Sequence, residues 1–219
     1  MSTDTVSYSE IAAQLPPGSI VTFHDVPWVE YEQLLERLGE ARGLRVSYTD
    51  GALSIMSRSS EHESYADFIK LLVGHLSFRQ RINVRFFGSA IMKKRRETKG
   101  NEPDACFYVR TACVIGHRMD VNLSVDPPPD IVVEVDIHHD SRDTFSVYRA
   151  IGVPEIWRYD GREFSIHLLR ASQYVSADNS VALPVLSARV LTDFLRRLPR
   201  DGEFETMAAF DEWLKARCD

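Results

Sequence analysis

Between Pro127 and Asp143 the chain reads PPPDIVVEVDIHHDSRD, and this stretch restricts the fold more than any other. Side chains alternate along a strand. Ile131, Val133, Val135 and Ile137 therefore share one face, and Asp130, Val132, Glu134 and Asp136 share the other. A wholly aliphatic face needs a covering layer, which makes residues 131–137 a central strand packed on a helix. The opposite face carries three carboxylates with no basic residue between them, and like charges so placed repel. Either that face meets solvent, as one side of an antiparallel sheet often does, or a cation lies against it.

The 219 residues suit one domain over 1–219, and a 44% hydrophobic content is enough for a core. The expected core spans about 44–170, with an N-terminal arm and helix (1–43) and C-terminal helices (185–217). A net charge of −6 argues against coating nucleic acid or an anionic membrane nonspecifically, while leaving room for a local basic groove. Cys106, Cys113 and Cys218 are odd in number and lack CxxC spacing, so neither a disulfide framework nor a zinc ribbon is indicated. A reducing cytoplasm is the expected location. No basic region followed by an apolar run opens the sequence. No stretch reaches the ~18 apolar residues of a membrane span, so no membrane partner is expected.

Periodicity supplies the other elements. VEYEQLLERLGEARG predicts a helix ending at Gly43, and RVSYTDGALSIM a hairpin turning on Asp50-Gly51. Tyr65, Phe68, Ile69, Leu72, Val73 and Leu76 form a helical stripe, with Ser60 and Glu63 at capping-box spacing before it. NVRFFGSAIMKKRR reads as one bent strand or two short ones, and DACFYV as a further strand. Asp140 or Ser141 caps a helix that Gly152 ends. A hairpin on Asp160-Gly161 and two terminal helices complete a mixed α/β (α+β) pattern of a sheet flanked by helices.

A further acid, Asp104, heads the strand DACFYV and precedes Glu134 by 30 residues. Two carboxylates on neighbouring strands suit Mg²⁺, which takes one or two carboxylates, waters and a substrate phosphate; Mn²⁺ is an alternative. An ion so placed activates water and stabilises charge on a phosphodiester.

The segments SRSSEHESYADFIKLL, RFFGSAIMKKRRETKGNEPDACFYV, PPPDIVVEVDI and YRAIGVPEIWRYDG together resemble the restriction endonuclease family Uma-two, of the PD-(D/E)xK nuclease superfamily, over roughly residues 20 to 215. The resemblance implies a restriction-endonuclease-like core with a curved mixed sheet. It also implies DNA as substrate, metal-assisted hydrolysis, Asp104 and Glu134 as metal ligands, and pairing of two copies as a homodimer. One feature departs from the superfamily pattern. The lysine expected two residues after the second acid is Asp136, and the alternative place four residues before Tyr148 is Thr144. Arg142, Arg149, Lys93 and Lys94 are the nearby basic residues, and arginine stays protonated and cannot serve as a base.

Asp136 and Glu61 are candidate assistants, Glu61 because it extends the stripe of Tyr65, Phe68 and Leu72. Glu63 reads as a cap, His62 as a structural histidine, and His138-His139-Asp140 as a strand end and helix cap. Lys93, Lys94, Arg95, Arg96 and Lys99 form a basic cluster just before Asp104, either a solvated loop or the wall of a DNA groove. Three readings remain: a nuclease, a degenerate module that binds DNA or protein without cutting, and a structural subunit of a dimer.

Overall fold

The computed structural model describes residues 8–218 except 40–42, 89–90, 95–96 and 138–139. Helix α1 (Tyr8–Ala13) and strand β1 (Ile20–Phe23) lead into α2 (Trp28–Leu38). Strands β2 (Leu44–Thr49) and β3 (Ala52–Ser57) form the expected hairpin, with Asp50 and Gly51 at φ 48° and 93°. Helix α3 (Ser60–Gln80) is followed by four short strands, β4 (Arg85–Phe86), β5 (Met92–Lys94), β6 (Lys99–Asn101) and β7 (Ala105–Tyr108), and by α4 (Ala112–Ile115). Strand β8 (Ile131–Val135) is joined through a 3₁₀ turn (Ser141–Thr144) and α5 (Phe145–Ile151) to β9 (Glu155–Tyr159). A meander of β10 (Phe164–Arg170) and β11 (Gln173–Ala177), then α6 (Ala188–Asp201) and α7 (Glu203–Cys218), completes the chain.

The strands form two sheets rather than the single curved sheet expected. The smaller has the order β1-β3-β2-β6-β5 and is antiparallel throughout. The larger has the order β11-β10-β9-β8-β7-β4, with one parallel pair, β8 and β9, whose connection runs through α5 as a parallel crossover must. The chain changes sheets twice in this region. NVRFFGSAIMKKRR is two strands in different sheets, interrupted at Gly88 with φ 57°. After β6 the change falls at Pro103, which has no N–H to continue a ladder.

Strand β8 is central, and its aliphatic face is fully covered. Ile131, Val133 and Val135 pack with Phe68, Leu72 and Leu76 of α3 and with α6 and α7 in the main core. Val132 faces the other way, into a cluster with Met92, Tyr148 and Ile156. The smaller sheet has a separate core, in which Val46, Tyr48, Leu53 and Ile55 pack on Tyr31 and Leu34 of α2. That contact is close. A Cβ on Gly100 of β6 would lie 2.2 Å from the Tyr31 hydroxyl, so a larger residue there requires the ring to move.

Boundaries differ from the sequence reading in identifiable ways. Helix α2 stops four residues early, at Gly39 with φ 54°. Ser59, not Ser60, caps α3 by accepting from His62 N. Strand β8 ends at Val135, because Asp136 turns to the following loop. Elements α1, β1, α4 and β11 were not anticipated. Among the described residues no helix is long and apolar enough to cross a membrane.

Candidate active site

The acids of the opening stretch have three different fates. Asp130 accepts from Val109 N, Thr111 N and the Thr111 hydroxyl, and so braces the turn after β7. Asp136 accepts from Ser141 N and Oγ, each at 2.9 Å, and pairs with Arg158. Glu134 alone points from β8 toward the smaller sheet, where it meets Arg45 of β2, Asn101 of β6 and Tyr148 of α5.

Asp104 is fixed beside Glu134 by the backbone of β8. Its N–H donates to Val133 O at 2.9 Å, and its Oδ2 accepts from Val135 N at 2.7 Å. One guanidinium joins the two carboxylates: Arg45 Nη1 donates to Glu134 Oε2 at 2.9 Å, and Nη2 lies against Asp104 Oδ1. Both carboxylate side chains are 1% exposed and Arg45 is 8% exposed, so little solvent screens the three charges. Asn101 Nδ2 and the Tyr148 hydroxyl donate to Glu134 Oε1, the former at 2.9 Å.

One cation against two buried anions leaves a charge unbalanced. Burial pushes the Glu134 carboxyl up from 4.5 to about 7, opposed first by Arg45 and reinforced by Asp136. Burial, helped by Glu134, also raises the Tyr148 phenol well above its ordinary value, so it remains a donor. A carboxyl whose native pKa exceeds its unfolded value binds more protons when folded. Its contribution to stability is full below about pH 4.5 and is lost as the pH rises through about 7. Metal-free protein should therefore lose on the order of 3 kcal/mol over that window, at about 1.4 kcal/mol per pKa unit. Thermal melts across it should show the decline, and Glu134→Gln, neutral throughout, should flatten it.

A second chain of charged groups approaches from α3. His62 Nε2 lies 3.0 Å from Asp104 Oδ1, and His62 Nδ1 lies 3.5 Å from Glu63 Oε1. Arg58 reaches Glu63 at 3.5 Å and donates to Glu102 at 2.6 Å. Glu134, Asp136, Arg45, Arg58 and His62 border a cavity of about 190 Å³ between the smaller sheet and the end of β8, with Asp104 behind Arg45 and His62.

Other residues named from sequence lie elsewhere. Glu61 is exposed and faces the α6–α7 junction near Leu198 and Glu203, away from Asp104. Glu63, read as a cap, is the acid of α3 that faces the cluster; with the cap at Ser59, the first turn directs His62 and Glu63 inward. Lys93 lies 3.7 Å from Glu32, Lys94 pairs with Glu97, and Lys99 pairs with Asp50 at 2.7 Å. Lys93 and Lys94 lie on the edge strand β5 and Lys99 on its neighbour β6, and none of the three lines the cavity. Arg95, Arg96, His138 and His139 lie outside the described residues. Thr144 and Asp136, the two positions where the sequence resemblance leads one to expect a lysine, both line the cavity.

The family model Uma2, described as "Putative restriction endonuclease", matches residues 28–198. The chain belongs to the Uma2 family. No curated protein matches the sequence. Among solved structures it is similar to a "putative nuclease belonging to DUF820" from Anabaena variabilis ATCC 29413. That likeness has a TM-score of 0.52 at 14% identity and covers 78% of this chain and 99% of the other. At that identity it speaks for the fold alone, a mixed α/β architecture. The Uma2 match spans both sheets, from α2 to α6, and so includes Arg45 as well as the acids.

Arg45 is the principal residue that sequence reasoning missed. A signal was present: it stands in a hairpin strand whose other face, Val46 and Tyr48, is apolar, so it had to point away from that core. What the sequence withheld was the partner, 89 residues away in the other sheet.

Proposed function

We propose that the chain is a metal-dependent endonuclease that hydrolyses phosphodiester bonds in DNA, with Asp104 and Glu134 holding Mg²⁺ or Mn²⁺. The observation that carries this reading is the convergence of two buried carboxylates, from adjacent antiparallel strands, on one cationic group at the wall of a cavity. The residues fit a divalent ion. They already bind a guanidinium at that place, and a negative charge remains unbalanced. When bound, such an ion supplies a water of lowered pKa and stabilises charge on the phosphate.

The remaining functions fall to the chain itself. The backbone of β8 orients Asp104, and Asn101 and Tyr148 orient Glu134. Arg45 and Arg58 present guanidinium groups to the cavity, where they would offset charge on a pentavalent phosphorus. Arg45 thus takes the electrostatic part of the absent lysine's role, and no arginine takes a proton-accepting part. Cutting both strands by a pair of copies belongs to the same proposal.

The test is nicking of supercoiled plasmid by purified protein with Mn²⁺ or Mg²⁺. Asp104→Ala should lower the rate at least about a hundredfold, the scale on which losing one charge-stabilising group at a reacting centre is felt. The second reading, a module that binds without cutting, is favoured by Arg45 itself, which already occupies both acids from within the chain. It predicts no nicking with either ion and no thermal stabilisation by metal.

A further inference from the structure

We propose that His62, Glu63 and Asp104 form a site for a divalent transition ion, sharing Asp104 with the place where Arg45 joins Asp104 to Glu134. The proposal rests on the reading of Asp104 as a metal ligand and adds a nitrogen donor to it. One ligand atom from each of the three residues lies within 4.8 Å of the others. His62 Nε2 and Asp104 Oδ1 are 3.0 Å apart, the spacing of two donors about 2.1 Å from one ion at a right angle.

The state of His62 points the same way. The residue is 5% exposed, yet neither ring nitrogen makes a hydrogen bond. Nε2 is near Asp104 but off the line of a directed bond. A buried imidazole normally has its polar atoms satisfied. This one has a nitrogen turned toward a carboxylate that Arg45 also contacts. Asp104 is held by the backbone of β8, whereas the Glu63 side chain is 42% exposed and its contacts to Arg58 and His62 are long, each at 3.5 Å.

The donor set decides the class of ion. Mg²⁺ takes oxygen ligands in octahedral geometry and keeps its waters. Imidazole with carboxylates suits Mn²⁺, Fe²⁺ or Zn²⁺. Mn²⁺ should therefore bind this chain more tightly than Mg²⁺.

The experiment titrates metal-free full-length protein with Mn²⁺ alone and with Mg²⁺ alone, and records electron spin-echo modulation of the Mn²⁺ complex. Wild type should show the ¹⁴N modulation of a coordinated imidazole, replaced by the ¹⁵N pattern when histidine is ¹⁵N-labelled. His62→Gln should abolish the modulation and weaken Mn²⁺ binding about tenfold or more, while Mg²⁺ binding changes by less than about twofold. Glu134→Gln should keep the modulation. Mn²⁺ bound to wild type without nitrogen modulation overturns the His62 site and leaves the two-acid reading standing. Modulation that persists in a folded His62→Gln also overturns it. Failure of wild type to bind either ion removes both readings. The wild-type spectrum decides the matter alone if His62→Gln does not fold.

Discussion

Val133→Asp should abolish folding, with no soluble, cooperatively melting protein recovered. Val133 is fully buried on the aliphatic face of β8, against α3 and the terminal helices. Its neighbours in that core are hydrocarbon, so an aspartate there would have no partner. An unpaired buried carboxylate costs more than about 4–5 kcal/mol, set against a total stability of about 5–15 kcal/mol. Circular dichroism and thermal melts give the measurement. Val133→Thr, of the same shape, should fold and lose only about 1–3 kcal/mol. An Asp variant that melts within a few degrees of wild type would contradict the placement of β8.

Arg45→Met should destabilise metal-free protein by about 3–5 kcal/mol, because it keeps the bulk of the side chain and leaves two buried carboxylates without their cation. For a chain of this size that corresponds to a fall in Tm of about 6–20 °C. The loss should shrink near about pH 4.5, where Glu134 is protonated in the folded and partly in the unfolded state. Under the nuclease reading, Mn²⁺ should restore much of the lost stability, because binding to the native state alone stabilises it. Under the non-cutting reading it should restore none. Melting curves of wild type and variant, with and without Mn²⁺, at two pH values, separate these outcomes.

The legible parts of this protein were those in which neighbours in sequence are neighbours in space. The alternation of Ile131, Val133 and Val135 announced a covered central strand. Asp50-Gly51 and Asp160-Gly161 announced their hairpins, and the stripe of α3 announced its buried face. The division into two sheets was hidden because β4, β5 and β6 are two or three residues long, too short to carry a period. The helical stripe of Tyr65, Phe68 and Leu72 extends back to Glu61 in the first turn of α3, but there the stripe meets the α6–α7 junction instead of the sheet, and Glu63 faces the site. Asp130, Glu134 and Asp136 share a strand face in sequence, but each finds a different partner. Only the fold could separate a turn brace, a loop anchor and the acid that faces Arg45.

The separate cores of the two sheets have a mechanical consequence. Apart from Met92, the buried apolar side chains of the smaller sheet and α2 pack among themselves. Their link to the larger sheet includes Met92 and the polar contacts of Arg45 and Asn101 with Glu134. Local opening should therefore begin along that charged seam rather than inside either core, which amide hydrogen exchange would read as earlier exchange at its backbone N–H groups. The seam that gathers the acids is thus also the boundary between two separately packed halves.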